Sequence, residues 1–172
     1  QRIFIKQGAS AAHTYGRRYV QAEGPTSIGP QWEMDPFHLK PTIDRVFCDG
    51  MNRLVFHTFT HSPDSVGKPG YEYFAGTHFN PNITWWEMAP AYTKYVARCQ
   101  ELLQQGSFIG DVCFYYGDNV PNQVHLKRID PSLGEGYDYD FADTRILLDS
   151  MYVKDHRIFL NDGMHYEVLV LP

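Results

Sequence analysis

Helical and extended periodicities alternate along this chain, and that alternation limits its fold more than any other feature. Trp85, Met88, Tyr92, Tyr95, Val96, Cys99, Leu102 and Leu103 recur at helical spacing, which predicts a helix closed by Gly106. Thr84 and Glu87 have the spacing of a capping box, and Pro90 should kink this helix or delay its start. Upstream, residues 53–60 read Arg-Leu-Val-Phe-His-Thr-Phe-Thr, a β-branched and aromatic run expected to form a strand. Residues 37–49 predict another helix, with Leu39, Ile43, Val46 and Phe47 on one face. Pro41 is then expected in its first turn and Gly50 after its end. A strand over 18–22 and a helix over 3–15, stopped by Gly16, precede it, and a strand over 109–116 follows. The order helix–strand–helix–strand–helix–strand implies an α/β architecture with parallel strands. A short helix over 143–151 comes next, then strands at 157–160 and 166–171 around an Asn161-Asp162-Gly163 turn. The natural boundary near Gly106 divides the chain into 1–106 and 107–172.

The charge balance of 15 basic and 20 acidic residues, net −5, argues against nonspecific nucleic-acid binding, which needs a cationic surface. No apolar run reaches the roughly 18 residues that a membrane-spanning helix needs. Cys48, Cys99 and Cys113 are too far apart for a zinc motif. Neither they nor Ser62 lie in a Ser-His-Asp or Cys-His pattern, so nucleophilic acyl transfer is not favoured. The chain opens on Gln1 without a leader-like segment and ends on the strand-like Glu167-Val168-Leu169-Val170-Leu171-Pro172, as expected of a piece of a longer frame.

In parallel α/β folds ligands bind where strands end, and three polar clusters fall at such places. Glu23 follows the first predicted strand, a position suited to a general base or equally to a surface carboxylate. His57 and His61 share one strand face by alternation but lie about 13 Å apart on extended backbone, too far to share a metal unless the strand breaks. Each is better suited to hydroxyl recognition, with packed structural histidines as the alternative. The third cluster, His78 to Trp86, ends a long loop, 61–83, with Gly or Pro at 63, 67, 69, 70, 76 and 81. Loops of this length in compact domains are usually functional. Aromatic residues make up 15% of the chain, and rings stack on sugar faces as well as filling cores. Trp85 has core spacing, so Trp32 or Trp86 is the expected exposed ring.

These residues carry a resemblance. Ala9-Ser10-Ala11-Ala12-His13-Thr14-Tyr15-Gly16, Val20-Gln21-Ala22-Glu23, Asn52-Arg53-Leu54-Val55-Phe56-His57, His61-Ser62-Pro63 and Gly76-Thr77-His78-Phe79-Asn80-Pro81-Asn82-Ile83-Thr84-Trp85-Trp86 resemble the late barrel segment of glycoside hydrolase family 106, the α-L-rhamnosidases. Tyr115-Tyr116-Gly117-Asp118-Asn119-Val120-Pro121-Asn122 and the ending from Tyr166 resemble the domain that follows the barrel there, which is similar to class I glutamine amidotransferases. Pro90 departs from that pattern, as does His156, where a Lys-Asp-Gly-Arg type turn would carry Gly.

The resemblance implies the last two strand units of a (β/α)8 barrel, then part of a flavodoxin- or amidotransferase-like α/β domain. A whole barrel takes roughly 250 residues. It also implies inverting hydrolysis of α-L-rhamnosides on plant-type glycans, outside the cytoplasm in the periplasm or extracellular space, with calcium dependence and unassigned metal ligands. Glu23 resembles the general base, and the general acid falls upstream, so this fragment alone is expected to be inactive. Trp32, His57, His61, His78 and Trp86 are the candidate substrate-binding residues. The rival readings are another barrel glycosidase, β-galactosidase-like, and a non-catalytic carbohydrate-binding module.

Overall fold

The computed structural model describes residues 2–29, 31–122 and 129–171. Backbone packing divides them into two units, one of residues 21–48 and 52–103, the other of 1–20, 49–51 and 104–172.

The first unit is a strand–helix–strand–helix run. Strand β1 (Gln21–Glu23) leads to helix α2 (Pro36–Cys48), strand β2 (Arg53–Val55) and helix α3 (Ala89–Leu103). β1 and β2 pair in parallel, Gln21 with Arg53, Ala22 with Leu54 and Glu23 with Val55. α2 starts because the Asp35 carboxylate accepts the amide of His38 at 3.0 Å and its carbonyl takes the amides of His38 and Leu39. The start lies earlier than the periodicity predicts, so Pro41 stands inside the helix rather than in its first turn. Leu39, Ile43 and Phe47 fill the buried face as expected. In α3, Pro90 does delay the helix: a 3-10 turn, Trp86–Met88, precedes it, and Pro90 occupies the first α-helical turn, where its missing N–H is tolerated. No side chain caps that turn at Trp85, so the Thr84–Glu87 capping box does not form. Tyr92 and Val96 of α3 are buried. The Phe56 and Phe79 rings meet at a 37° tilt with centroids 4.5 Å apart, and Phe79 meets Trp85 edge-on at 5.2 Å, giving this unit an aromatic core.

β2 ends five residues short of its expected limit. From His57 the backbone pairs with the returning loop instead of running on beside β1. Thr58 N–H donates to Thr77 O at 2.9 Å, Thr77 N–H to His57 O at 2.8 Å, and Phe79 N–H to Thr58 O at 3.1 Å. The long 61–83 loop is therefore anchored backbone with one 3-10 turn, Asp64–Val66, and a bridge from Ala75 to Ile28.

The second unit places helix α1 (Arg2–Thr14) with a three-stranded parallel sheet of order β4-β3-β8. Its strands are β3 (Val112–Tyr115), β4 (Tyr139–Ala142) and β8 (Val168–Val170). β3 is shorter than the predicted 109–116, and β4 follows a loop, 117–136, whose residues 123–128 lie outside those described. α4 (Thr144–Asp149) is capped by Asp143, whose carboxylate accepts Ile146 N–H at 2.9 Å. A small antiparallel sheet joins β5 (Tyr152–Lys154), β6 (Arg157–Phe159) and β7 (His165–Tyr166). The single strand predicted over 166–171 splits at Glu167: Tyr166 pairs with β6, while Val168 pairs with Val112 in the parallel sheet. The Asn161–Gly163 turn forms as expected, with Gly163 at φ +92°.

The core of this unit is Cys113, Ala142, Ile146, Leu160, Met164 and Tyr166. Fully buried Asp140 accepts the Tyr166 hydroxyl at 3.0 Å and sits 3.1 Å from Nδ1 of His13, pinning α1 to β4. Lys6 adds an ion pair to Asp138 at 2.8 Å. Burial, reinforced by the Asp140 charge, pushes the Cys113 thiol up, so this cysteine is a protonated core residue and no nucleophile.

Candidate active site

The parallel register puts Glu23 opposite Val55, and Gly24 N–H donates to Val55 O at 2.8 Å. His57 lies two residues further along, so both side chains emerge at the carboxyl edge of the same strand pair. Nδ1 of His57 stands 3.0 Å from Oε1 of Glu23, whose side chain is 61% exposed. A solvent-facing carboxylate steadied by an imidazole can hold a water and take its proton.

The loop fixes His57 from the other side. Gly76 has φ +95°, and a Cβ there would fall 2.6 Å from His57 O and 2.7 Å from its Cδ2. Only glycine fits that conformation and that approach. The Tyr73 ring meets the His57 imidazole edge-on, centroids 5.4 Å apart. Gly76 N–H donates to Ser27 O at 2.7 Å, tying the loop to the backbone after β1.

Trp32 and His78 form a second contact, edge-on at 4.0 Å, and the Trp32 indole N–H donates to Glu72. His78 is buried, and neither ring nitrogen has a protein hydrogen-bond partner. Burial holds its imidazole below the usual histidine range, opposed in part by Glu72. His78 thus lies beneath Trp32 rather than open to solvent. Trp85 is buried with its indole N–H on Met34 O at 3.0 Å, leaving Trp32 and Trp86 as the half-exposed rings, as their spacing implied. Trp86 lines an apolar groove of about 370 Å³ with Phe56, Phe59, Phe79 and Pro90. His61 is exposed and lies on no strand, so the shared strand face expected for His57 and His61 does not exist.

The structure therefore brings together Glu23 with His57, and Trp32 with His78. Glu72, Tyr73 and Gly76 join them without having been singled out by sequence reading. Their signal was the length and aromatic content of the loop. Among the described residues no three His, Cys, Asp or Glu side chains converge as a metal shell. No helix among them is long and apolar enough to cross a membrane.

A carboxylate and an imidazole thus stand together at the carboxyl edge of a parallel strand–helix–strand unit, where ligands bind in such folds, with aromatic rings around them. Residues 3–172 match the family profile of glycoside hydrolase 106, described as alpha-L-rhamnosidase, and the chain belongs to that family. A putative beta-glucuronidase of Formosa agariphila is 39% identical over 165 residues, covering 95% of this chain and 14% of that protein. The structure of a rhamnosidase from Novosphingobium sp. PP1Y superposes with a TM-score of 0.85 at 32% identity, covering 98% of this chain and 16% of the other. The chain thus spans about one-seventh of the length of these relatives.

Proposed function

We propose that this chain contributes the general-base side of the active site of an inverting α-L-rhamnosidase acting on plant-type glycans. On this reading β1-α2-β2-α3 are the last two units of a (β/α)8 barrel, and residues from 107 begin an amidotransferase-like accessory domain. The observation that carries the reading is the 3.0 Å pair of Glu23 and His57 at the carboxyl edge of two parallel strands. In an inverting mechanism one carboxylic acid protonates the leaving oxygen while a carboxylate about 6.5–9.5 Å away activates water on the opposite face. Glu23 takes the second role. The acid comes from another strand of the full enzyme, and this chain alone is inactive. His57 holds the Glu23 carboxylate in place and binds sugar hydroxyls. Trp32 and Trp86 offer ring surface to the glycan, while His78 supports Trp32 from below. Calcium belongs to this proposal with its ligands unassigned, and no step here passes through it. A glycan substrate of this kind places the enzyme in the periplasm or outside the cell.

The Formosa relative favours a second reading, a β-glucuronidase. The test is steady-state kinetics of the full-length enzyme on aryl α-L-rhamnoside, aryl β-glucuronide and aryl β-galactoside. We expect hydrolysis of the rhamnoside. Glu23→Gln keeps the shape and removes the basicity, so it should lower kcat at least about 10²-fold with folding unchanged. His57→Ala should raise KM through lost hydroxyl contacts, which exist in ground and transition states alike, and also lower kcat through lost positioning of Glu23. Retention of more than about a tenth of kcat by Glu23→Gln would make this carboxylate structural. Preference for the glucuronide would establish the second reading, and sugar binding without hydrolysis would indicate a binding module.

A further inference from the structure

The loop before Gly76 carries four successive exposed residues, Tyr71, Glu72, Tyr73 and Phe74. It is held at both ends: Tyr71 N–H donates to Ser62 Oγ at 3.0 Å, and Gly76 N–H to Ser27 O at 2.7 Å. The rings of Tyr73 and Phe74 stand 4.7 Å apart and keep 45% and 71% of their residue surface open. Tyr73 also touches His57, the partner of Glu23. An anchored aromatic wall thus adjoins the Glu23–His57 pair, yet the proton transfer assigned above does not use it.

The chemistry of the wall selects what it can face. Open aromatic surface takes up apolar groups. Two carboxylates lie near it, Glu72 beside Tyr73 in sequence and Glu23 beyond His57, and a third negative charge brought among them would be repelled. A general base lies against the water beside the anomeric carbon, so a ring touching the base's own partner lies within about one sugar width of that carbon. The wholly apolar substituent of a rhamnosyl ring at that range is the methyl on C5, separated from the anomeric carbon by the ring oxygen. We propose that Tyr73, backed by Phe74, is a specificity-determining residue that receives the C6 methyl of a 6-deoxyhexose and disfavours a C6 hydroxyl or carboxylate. This inference rests on the assignment of Glu23 as base.

The test compares aryl α-L-rhamnoside with aryl α-L-mannoside, which differ only by the hydroxyl on C6, using the full-length enzyme. The ratio of the two kcat/KM values is read on one preparation and is independent of its active fraction. Discrimination of this size by an apolar wall should be about 10²-fold in the wild type. Tyr73→Ala should reduce the ratio at least about tenfold, while Tyr73→Phe, which keeps the ring, should preserve it. An unchanged ratio in Tyr73→Ala overturns the inference. If Glu23→Gln still abolishes rhamnoside hydrolysis in that case, the base assignment stands alone. A wild type inert toward the rhamnoside overturns both.

Discussion

Two residues in the 72–80 loop show how local chemistry sustains the candidate site. Gly76 leaves its Cβ position to His57, so any larger residue at 76 would push against the His57 backbone and ring. His78 is buried as a neutral imidazole, and that has a pH consequence. The unfolded chain takes up a proton below about pH 6.5, whereas burial opposes protonation in the folded state. The folded pKa is lowered, so the contribution of His78 is complete above about 6.5 and is lost as pH falls below it. The loss is at most about 1.4 kcal/mol per pH unit. Hydrogen-exchange protection of amides 76–79, corrected for intrinsic rates, should be lower at pH 5.5 than at 7.5, and His78→Asn should remove the difference. Glu23 and His57 stood out as candidates in the sequence because Glu23 follows a run with strand character and His57 lies within one. Tyr73 and Gly76 could not, because their roles exist only once the loop folds back on His57, a contact that periodicity does not encode.

Among the elements, the helices were the most legible, since their buried faces repeat over three or four turns. Pro90 marked the start of α3 correctly, while Pro41 was placed in a first turn because Asp35, the true cap, lies outside the apolar repeat. The strands were less legible. β5 is exposed throughout, so it has no alternation to read. β4 does alternate, but it follows an irregular loop and is only four residues long. β2 was overextended because residues 56–60 keep β propensity while their backbone pairs with the loop. The β5–β6 hairpin turns on Asp155 at φ 50° and His156 at φ 62°, a pair of left-handed residues typical of a type I′ turn. Left-handed backbone costs a non-glycine residue about 1–2 kcal/mol, and glycine's extra unfolded freedom offsets part of that. His156→Gly should therefore stabilise the hairpin by roughly 0.5–1 kcal/mol. Slower exchange of the Lys154 and Arg157 amides would register it.

At the scale of the whole chain, much apolar surface faces outward: Ile28 and Phe37 are each 83% exposed, Phe59 61% and Val120 93%. The β1–β2 pair is a two-stranded parallel sheet, an arrangement found almost only within larger covered sheets. Residues 1–172 expressed alone should self-associate and bind a hydrophobic dye. Size-exclusion chromatography showing a dye-silent monomer that unfolds cooperatively would contradict this. The pinning of α1 to β4 also sets a schedule for synthesis. His13 and its partner Asp140 are 127 positions apart. At about 5–20 residues per second, α1 leaves the ribosome roughly 6–25 s before the strand that covers it. Through that interval Lys6 and His13 are without the Asp138 and Asp140 carboxylates that pair with them. Residues 21–48 and 52–103 emerge meanwhile, so the helix waits for its partner strand while the whole of the other unit is made.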